Sequence, residues 1–302
     1  MKRIRKYVWL LLIPAMLLGL FAIFTITKEV SARSNRRIAE CVADFQEFEP
    51  SSPTLVMRLF RTLYFPTYQL KSEDVVGEEL IESFSVTKEG AYWAVFEENG
   101  RWKELCDRLV IYKSDLQGKN LTSIYSVEGE FYHAAAIGIR DALVFSYWEE
   151  KDNAETQQIL LYDLGTHEVS TIATGQQMSL VEAAAAEQEK KEQEEDLYTI
   201  NASDSGFIIR SREDGTTVAT LPQEFWKDTQ YASAFEDNPV WRTTTTTWHG
   251  TVILTVWMAF PSGFFERYVA ASFAYDPVKD ELAFLSCIQP YEFASFDIFL
   301  LE

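Results

Sequence analysis

The side chains most able to do chemistry in this chain are 46 Asp and Glu, three His, three Cys and eight Trp. Two carboxylates roughly 5 to 9 Å apart would make a glycosidase pair. With so many acids some pair must fall at that separation, so abundance selects none. His133, His167 and His249 lie far apart and form no HExxH helix. Cys41, Cys106 and Cys287 show none of the CxxC or Cys/His spacings of a zinc site. There is no Gly-rich phosphate loop, no G-x-S-x-G elbow and no EF-hand loop. The sequence offers no catalytic residue, no metal site and no cofactor, and predicts a protein that binds rather than an enzyme. Two alternatives remain: a glycan-active hydrolase using a carboxylate pair, and a structural component of a membrane complex.

Binding would fall to aromatic rings. Trp102, Trp148, Trp226, Phe131, Tyr132 and Phe264 lie between apolar runs, and most have Glu97, Glu98, Glu128, Glu130, Glu149 or Glu150 close by in sequence. Broad rings lose little rotamer entropy on binding. Acids beside them favour a cationic or polyhydroxylated ligand, which suggests a protein segment or a glycan. Nucleic acid is excluded: 27 basic against 46 acidic residues leave a net charge of -19, which repels phosphate.

The elements that must position these rings repeat. In LLYDLGTHEVSTIATG, Tyr162, Val169 and Ile172 stand at offsets 0, 7 and 10, and Tyr275, Leu282 and Leu285 repeat them, with Tyr-Asp opening both turns. Tyr112, Leu121 and Ile124, and Ile209, Val218 and Leu221, give a longer-turn version at offsets 0, 9 and 12. Ile124 to Ile172 is 48 residues, Ile172 to Leu221 is 49, and Leu221 to Leu285 is 64. Apolar runs AYWAVF, ALVFSYW and TVILTVW precede three of the hairpins, and a weaker run precedes each of those. Four strands, A to D, every 40 to 50 residues match the unit of a β-propeller, whose sheets bury both faces only between neighbours. A two-sheet sandwich needs no such period. The fold class expected is mainly β and β-propeller-like, with about four recognisable four-stranded blades.

The hairpin Ile111-Tyr112, Asp115, Gly118-Lys119-Asn120-Leu121, Ile124 resembles the repeat of TolB-like and WD40-like bacterial extracytoplasmic β-propeller proteins. The resemblance covers roughly residues 80–289 and implies an extracytoplasmic binding or assembly role, with no catalytic residues. In such blades the B to C loops (97–107, 148–157, 261–267) and the D to A loops (126–133, 222–231) share one face, which would gather the six aromatics. Residues 64–79 and the final 295–302 would complete a shared blade. VWRTTTTTW, Val240 to Trp248, read as an inner strand A, would line the central channel of a closed propeller with alternate threonine hydroxyls.

Ahead of this domain, residues 1–6 are a basic cytoplasmic tail, and Tyr7 to Ile26 run for 20 residues without a charge, enough at 1.5 Å per residue to span about 30 Å of bilayer core. The basic flank keeps the N-terminus inside and exports the rest. The localisation expected is the cell membrane, single-pass, with the C-terminal domain extracytoplasmic. The alternative is a secreted protein whose signal peptide ends near residue 32. Residues 27–79 read as a helical stalk: one helix over 35–48, with Ile38, Cys41, Val42 and Phe45 on one face, and a second over 53–65, with Leu55, Leu59 and Leu63 every fourth residue. The domain then occupies 80–302, with an acidic insertion, 181–196, that lacks an apolar stripe and reads as a solvated helix or loop. If the ring closes, Cys106 and Cys287 are the pair expected to approach.

Overall fold

The computed structural model describes residues 2–50, 54–59, 61–66, 68–76, 81–98, 105–151, 154–175, 178–248, 250–262, 265–290 and 296–301; the side chains of 2–20 and 22, and of a few element ends, lie outside that description. The chain begins with one helix, α1 (Lys2–Gln46). Most side chains of the expected span Tyr7 to Ile26 are thus not described, and among the described residues no helix is long and apolar enough to cross a membrane. The rest is mainly β, in four antiparallel sheets.

The first sheet contains β1 (Thr54–Leu59), β2 (Thr62–Tyr64) and β3 (Gln69–Lys71), followed by a single helical turn, α2 (Glu73–Val76). The second helix expected over 53–65 is therefore strand. Its Leu55 to Leu59 spacing of four is even, so it fits one face of a strand as well as one face of a helix. The deciding partner is the last strand, β18 (Phe296–Leu301), which pairs with β1 from Thr54↔Leu301 to Leu59↔Phe296. The order β18-β1-β2-β3 joins the two ends of the domain in a shared sheet, and the domain starts at residue 54, not 80.

A seven-stranded sheet follows: β4 (Ile81–Thr87), β5 (Gly90–Glu98), β6 (Leu105–Ser114), β7 (Thr122–Ile139), β8 (Ala142–Lys151), β9 (Ala154–Asp163) and β10 (Val169–Thr174). It is two four-stranded units sharing β7. The first part of β7 pairs with β6, and Tyr132 to Ile139 pair with β8. The register shifts between Tyr132 and Ala135, where His133 takes φ 50°, so a bulge bends one continuous strand from the outer edge of one unit to the inner edge of the next. The expected D to A loop 126–133 is this strand.

Next come α3 (Leu180–Glu195), a three-stranded sheet of β11 (Tyr198–Ser203), β12 (Gly206–Ser211) and β13 (Thr217–Pro222), the short α4 (Ser233–Glu236), and a sheet of β14 (Val240–Trp248), β15 (Thr251–Ser262), β16 (Phe265–Asp276) and β17 (Glu281–Ile288). The third unit thus has three strands rather than four. Helix α3 touches β7, β8 and β14, and stands where that unit's inner strand is missing. A capping box between Ser179 and Glu182 starts it. It is not merely solvated: Ala183 and Ala184 are buried against Ile139, Val144 and Ile159, because alanine lets a helix lie close to a sheet without an apolar stripe.

Burial follows position within each sheet. Ala91–Phe96, Ala142–Tyr147 and Val252–Met258 are buried at every residue, because each strand has a sheet over both faces. The edge strands β10 and β13 have no buried residue. The hairpin tyrosines are devices of the turn. Tyr162 and Tyr275 are buried and lie opposite Val169 and Leu282, the pairs expected from the offset of seven. Their hydroxyls reach the residue five places on, His167 Nδ1 at 3.1 Å and Asp280 Oδ1 at 2.7 Å, both at positive φ. The following Asp163 and Asp276 accept the turn amides, as Asp115 does from Gln117 and Lys119.

The end of α1 docks on the β14–β17 sheet. Ile38, Cys41 and Phe45 are buried, as the amphipathic spacing predicts, and Phe45 stacks on Phe284 at 5.9 Å. Cys106 lies elsewhere, among Leu109, Phe131 and Tyr147, whereas Cys287 packs beside the cluster holding Cys41. The expected approach of Cys106 to Cys287 is not what the packing produces.

Candidate functional site

A half-open cavity of about 660 Å³ is walled by β7, α3, β14 and β18, with Arg58 of β1 at one side. Its walls are built from local constraints. At Gly138 a Cβ would lie 1.9 Å from the Phe84 carbonyl oxygen and on the Arg58 guanidinium, so only glycine lets β7 pass there. Arg58 donates to the carbonyls of Phe84 and Gly138 and lies over the rings of Phe84 and Phe299, at 5.4 and 5.7 Å. One side chain thereby ties β1, β4, β7 and β18.

A second arginine holds the helix in place. Arg140 follows β7, and its Nη1 is 3.1 Å from Asp196 Oδ1 at the end of α3, both side chains being at most 2% exposed. Its Nη2 donates to the Thr247 carbonyl at 2.7 Å, and its guanidinium lies 4.2 Å over Trp248. Thr247 Oγ1 donates to the other Asp196 oxygen. The Arg140 amide donates to Gln188 Oε1, and Gln188 donates to Glu192. A charged pair buried this way is tolerated because further hydrogen bonds, from Nη2 to the Thr247 carbonyl and from Thr247 Oγ1 to the carboxylate, accompany it.

The third wall is the threonine strand. Thr244, Thr245 and Thr246 line the cavity, three consecutive residues where an inner strand is expected to present alternate ones. Thr244 Oγ1 accepts from Trp257 Nε1 at 3.0 Å. Arg242 lies 4.3 Å over Trp241 and 5.7 Å from Trp257, and makes no ion pair among the described residues. Among the described residues three guanidiniums thus border this space in a chain of net charge -19, against one lining carboxylate, Glu192, and the already paired Asp196. Among the described residues no group of three or more His, Cys, Asp or Glu could hold a metal ion.

The aromatics expected as ligand anchors do not gather here. Trp226 is 3% exposed, wedged between Phe225 and Phe235 at 5.1 and 4.8 Å, because α1 and the 222–239 connection close over it. Phe131 is buried, folded back over Gly129 and 4.4 Å from Tyr147. Both are core residues rather than exposed anchors. Tyr132 and Trp148 face each other across β7 and β8 and are half-buried. Trp102 and Phe264 lie outside the described residues. Arg58, Arg140 and Arg242 were missed by sequence reasoning. Only Arg242, inside the VWRTTTTTW stretch, carried a local signal.

No family model and no curated protein matches the chain. Among solved structures it is similar to a hypothetical protein from Leishmania major, at 12% identity over 70% of each chain with a TM-score of 0.22. It is also similar to a functionally unknown protein from Desulfotomaculum acetoxidans DSM 771, at 10% identity over 78% of this chain and 80% of that one, TM-score 0.24. A third is the WD40 repeats of RRP9, at 8% identity over 80% and 85%, TM-score 0.26.

Proposed function

We propose that this protein is a membrane-tethered, extracytoplasmic binding module: a five-unit β-propeller closed by the β1–β18 pairing, whose ligand enters the central cavity. The observation that carries this reading is the cavity itself, in which threonine hydroxyls and three guanidiniums stand among apolar walls. Its volume of about 660 Å³ falls within the range of roughly 300–1,000 Å³ usual for ligand sites. Threonine hydroxyls and the Arg242 guanidinium suit a glycan hydroxyl cluster or a carboxylate-bearing protein segment, and disfavour a cation. Binding is preferred to hydrolysis because, among the described lining residues, Glu192 is the one carboxylate, and paired-carboxylate chemistry needs two.

The tether is Tyr7 to Ile26, with the domain outside the cell. It is supported by the basic residues ahead of it and by Phe21, Ile23, Phe24 and Ile26, which are 51–68% exposed on α1. Apolar side chains left uncovered on one continuous helix suit lipid.

The test is a thermal-shift screen of oligosaccharides and acidic peptides on the full chain in detergent, beside a Thr245→Trp variant that fills the cavity. A ligand that raises Tm in the parent and not in a folded Thr245→Trp variant supports the reading. An equal rise in both overturns it.

A further inference from the structure

We propose that Cys41 of α1 and Cys287 of β17 form a disulfide after export, fastening the membrane helix to the β14–β17 sheet. The inference goes beyond the binding function and rests on the export reading above. Cys41 is fully buried on the face of α1 that docks on the sheet, between Ile38 and Phe45. Cys287 lies near the end of β17, opposite Ala271, and packs against the same cluster. Ile38 and Val42, on either side of Cys41 along that helix face, line a common groove with Cys287.

Cys41 Sγ donates to Met258 Sδ at 3.6 Å, and Cys287 lies within hydrogen-bonding reach of Cys41. Burial, then a hydrogen bond with Cys41, pushes the Cys287 thiol well above the ordinary thiol range. A protonated, buried thiol is a poor nucleophile. The bond is therefore made while the domain is still closing on α1. The oxidant is the disulfide of a thiol–disulfide oxidoreductase. The Cys41 thiolate attacks one oxidant sulfur, giving a mixed disulfide and releasing the other as a thiol. Cys287 then displaces the remaining oxidant sulfur, also as a thiol. One S–S bond forms and one breaks, two electrons pass to the oxidant, and two protons move from the cysteines to its sulfurs.

The consequence is mechanical. α1 is continuous from Lys2 to Gln46, so a covalent tie at Cys41 fixes the domain's orientation to the membrane rather than leaving it on a swivel.

The test uses the full chain expressed in an exporting bacterial host, isolated without reductant and alkylated with N-ethylmaleimide as it is denatured. Protease accessibility of the domain on the same membranes reads its topology separately. The expected result is a Cys41–Cys287 linked peptide by mass spectrometry, a mass 2 Da below the reduced form, alkylation of Cys106 alone, and a Tm that falls by on the order of 5–10 °C on reduction. Alkylation of all three cysteines in accessible, exported protein overturns the proposal, as does a bond involving Cys106. A bond that forms only when the purified chain is incubated with oxidised glutathione also overturns it, since oxidation would then not accompany export.

Discussion

Removing the charge of Asp196 should loosen the whole inner ring, because α3 is held to β7 and β14 through that carboxylate. Asp196 faces Arg140 at 3.1 Å with both side chains at most 2% exposed, so solvent offers little replacement for either partner. Opposite charges about 4 Å apart at an effective dielectric near 20 attract by about 4 kcal/mol. Truncating one member of such a buried pair typically costs about 3–5 kcal/mol, because the survivor stays buried and uncompensated. Asp196→Ala also strands the Thr247 hydroxyl that donates to it. We expect Asp196→Ala to lower the stability of the full chain by about 3–5 kcal/mol, measured as a fall in urea midpoint. The double variant Arg140→Met with Asp196→Leu should recover much of that loss, since it leaves no buried charge. Losses below about 1 kcal/mol for the single variant, or a double variant equal to the sum of the singles, would refute the reasoning.

Gly138→Ala should destabilise by about 1–3 kcal/mol or more, read by thermal unfolding, because the added methyl meets the Phe84 carbonyl and the Arg58 guanidinium. Tyr275→Phe should cost about 0.5–1.5 kcal/mol through loss of its hydrogen bond to Asp280. At Asp163 burial pushes the carboxyl up, but the Thr166 and Gly165 amides and Lys191 outweigh it and hold the carboxyl below its ordinary value. Its contribution is therefore fully present above about pH 4 and lost as pH falls through the lower folded value. Asp163→Asn should flatten the acid limb of a stability-against-pH curve, and an unchanged limb would contradict this.

The hairpins were legible because their information is local. An offset of seven puts Tyr162 opposite Val169 whatever the rest of the chain does, and the Tyr-Asp turns carry their own hydrogen bonds. Strand β1 was not, since what makes it a strand is β18, with Leu301 opposite Thr54 from the far end of the sequence. The same non-locality misplaced Trp226. Its type and loop position suggest exposure, but it is covered by Phe235 and by a helix more than 170 residues upstream. That threonines of β14 would line a cavity was readable from β14 alone, as a run of five identical β-formers. The arginines that shape it were not, because each one's partners come from separate sheets.

The central claim, that the ligand site is the cavity on the ring axis, is tested most directly by a photo-crosslinking amino acid placed at Thr245 of the cavity or at Val278 on an outer turn, in the full chain in its own membrane. The account predicts one discrete ligand adduct from position 245, lost when Arg242 is replaced by alanine, and none from position 278. The same adduct from position 278, with none from position 245, would contradict it.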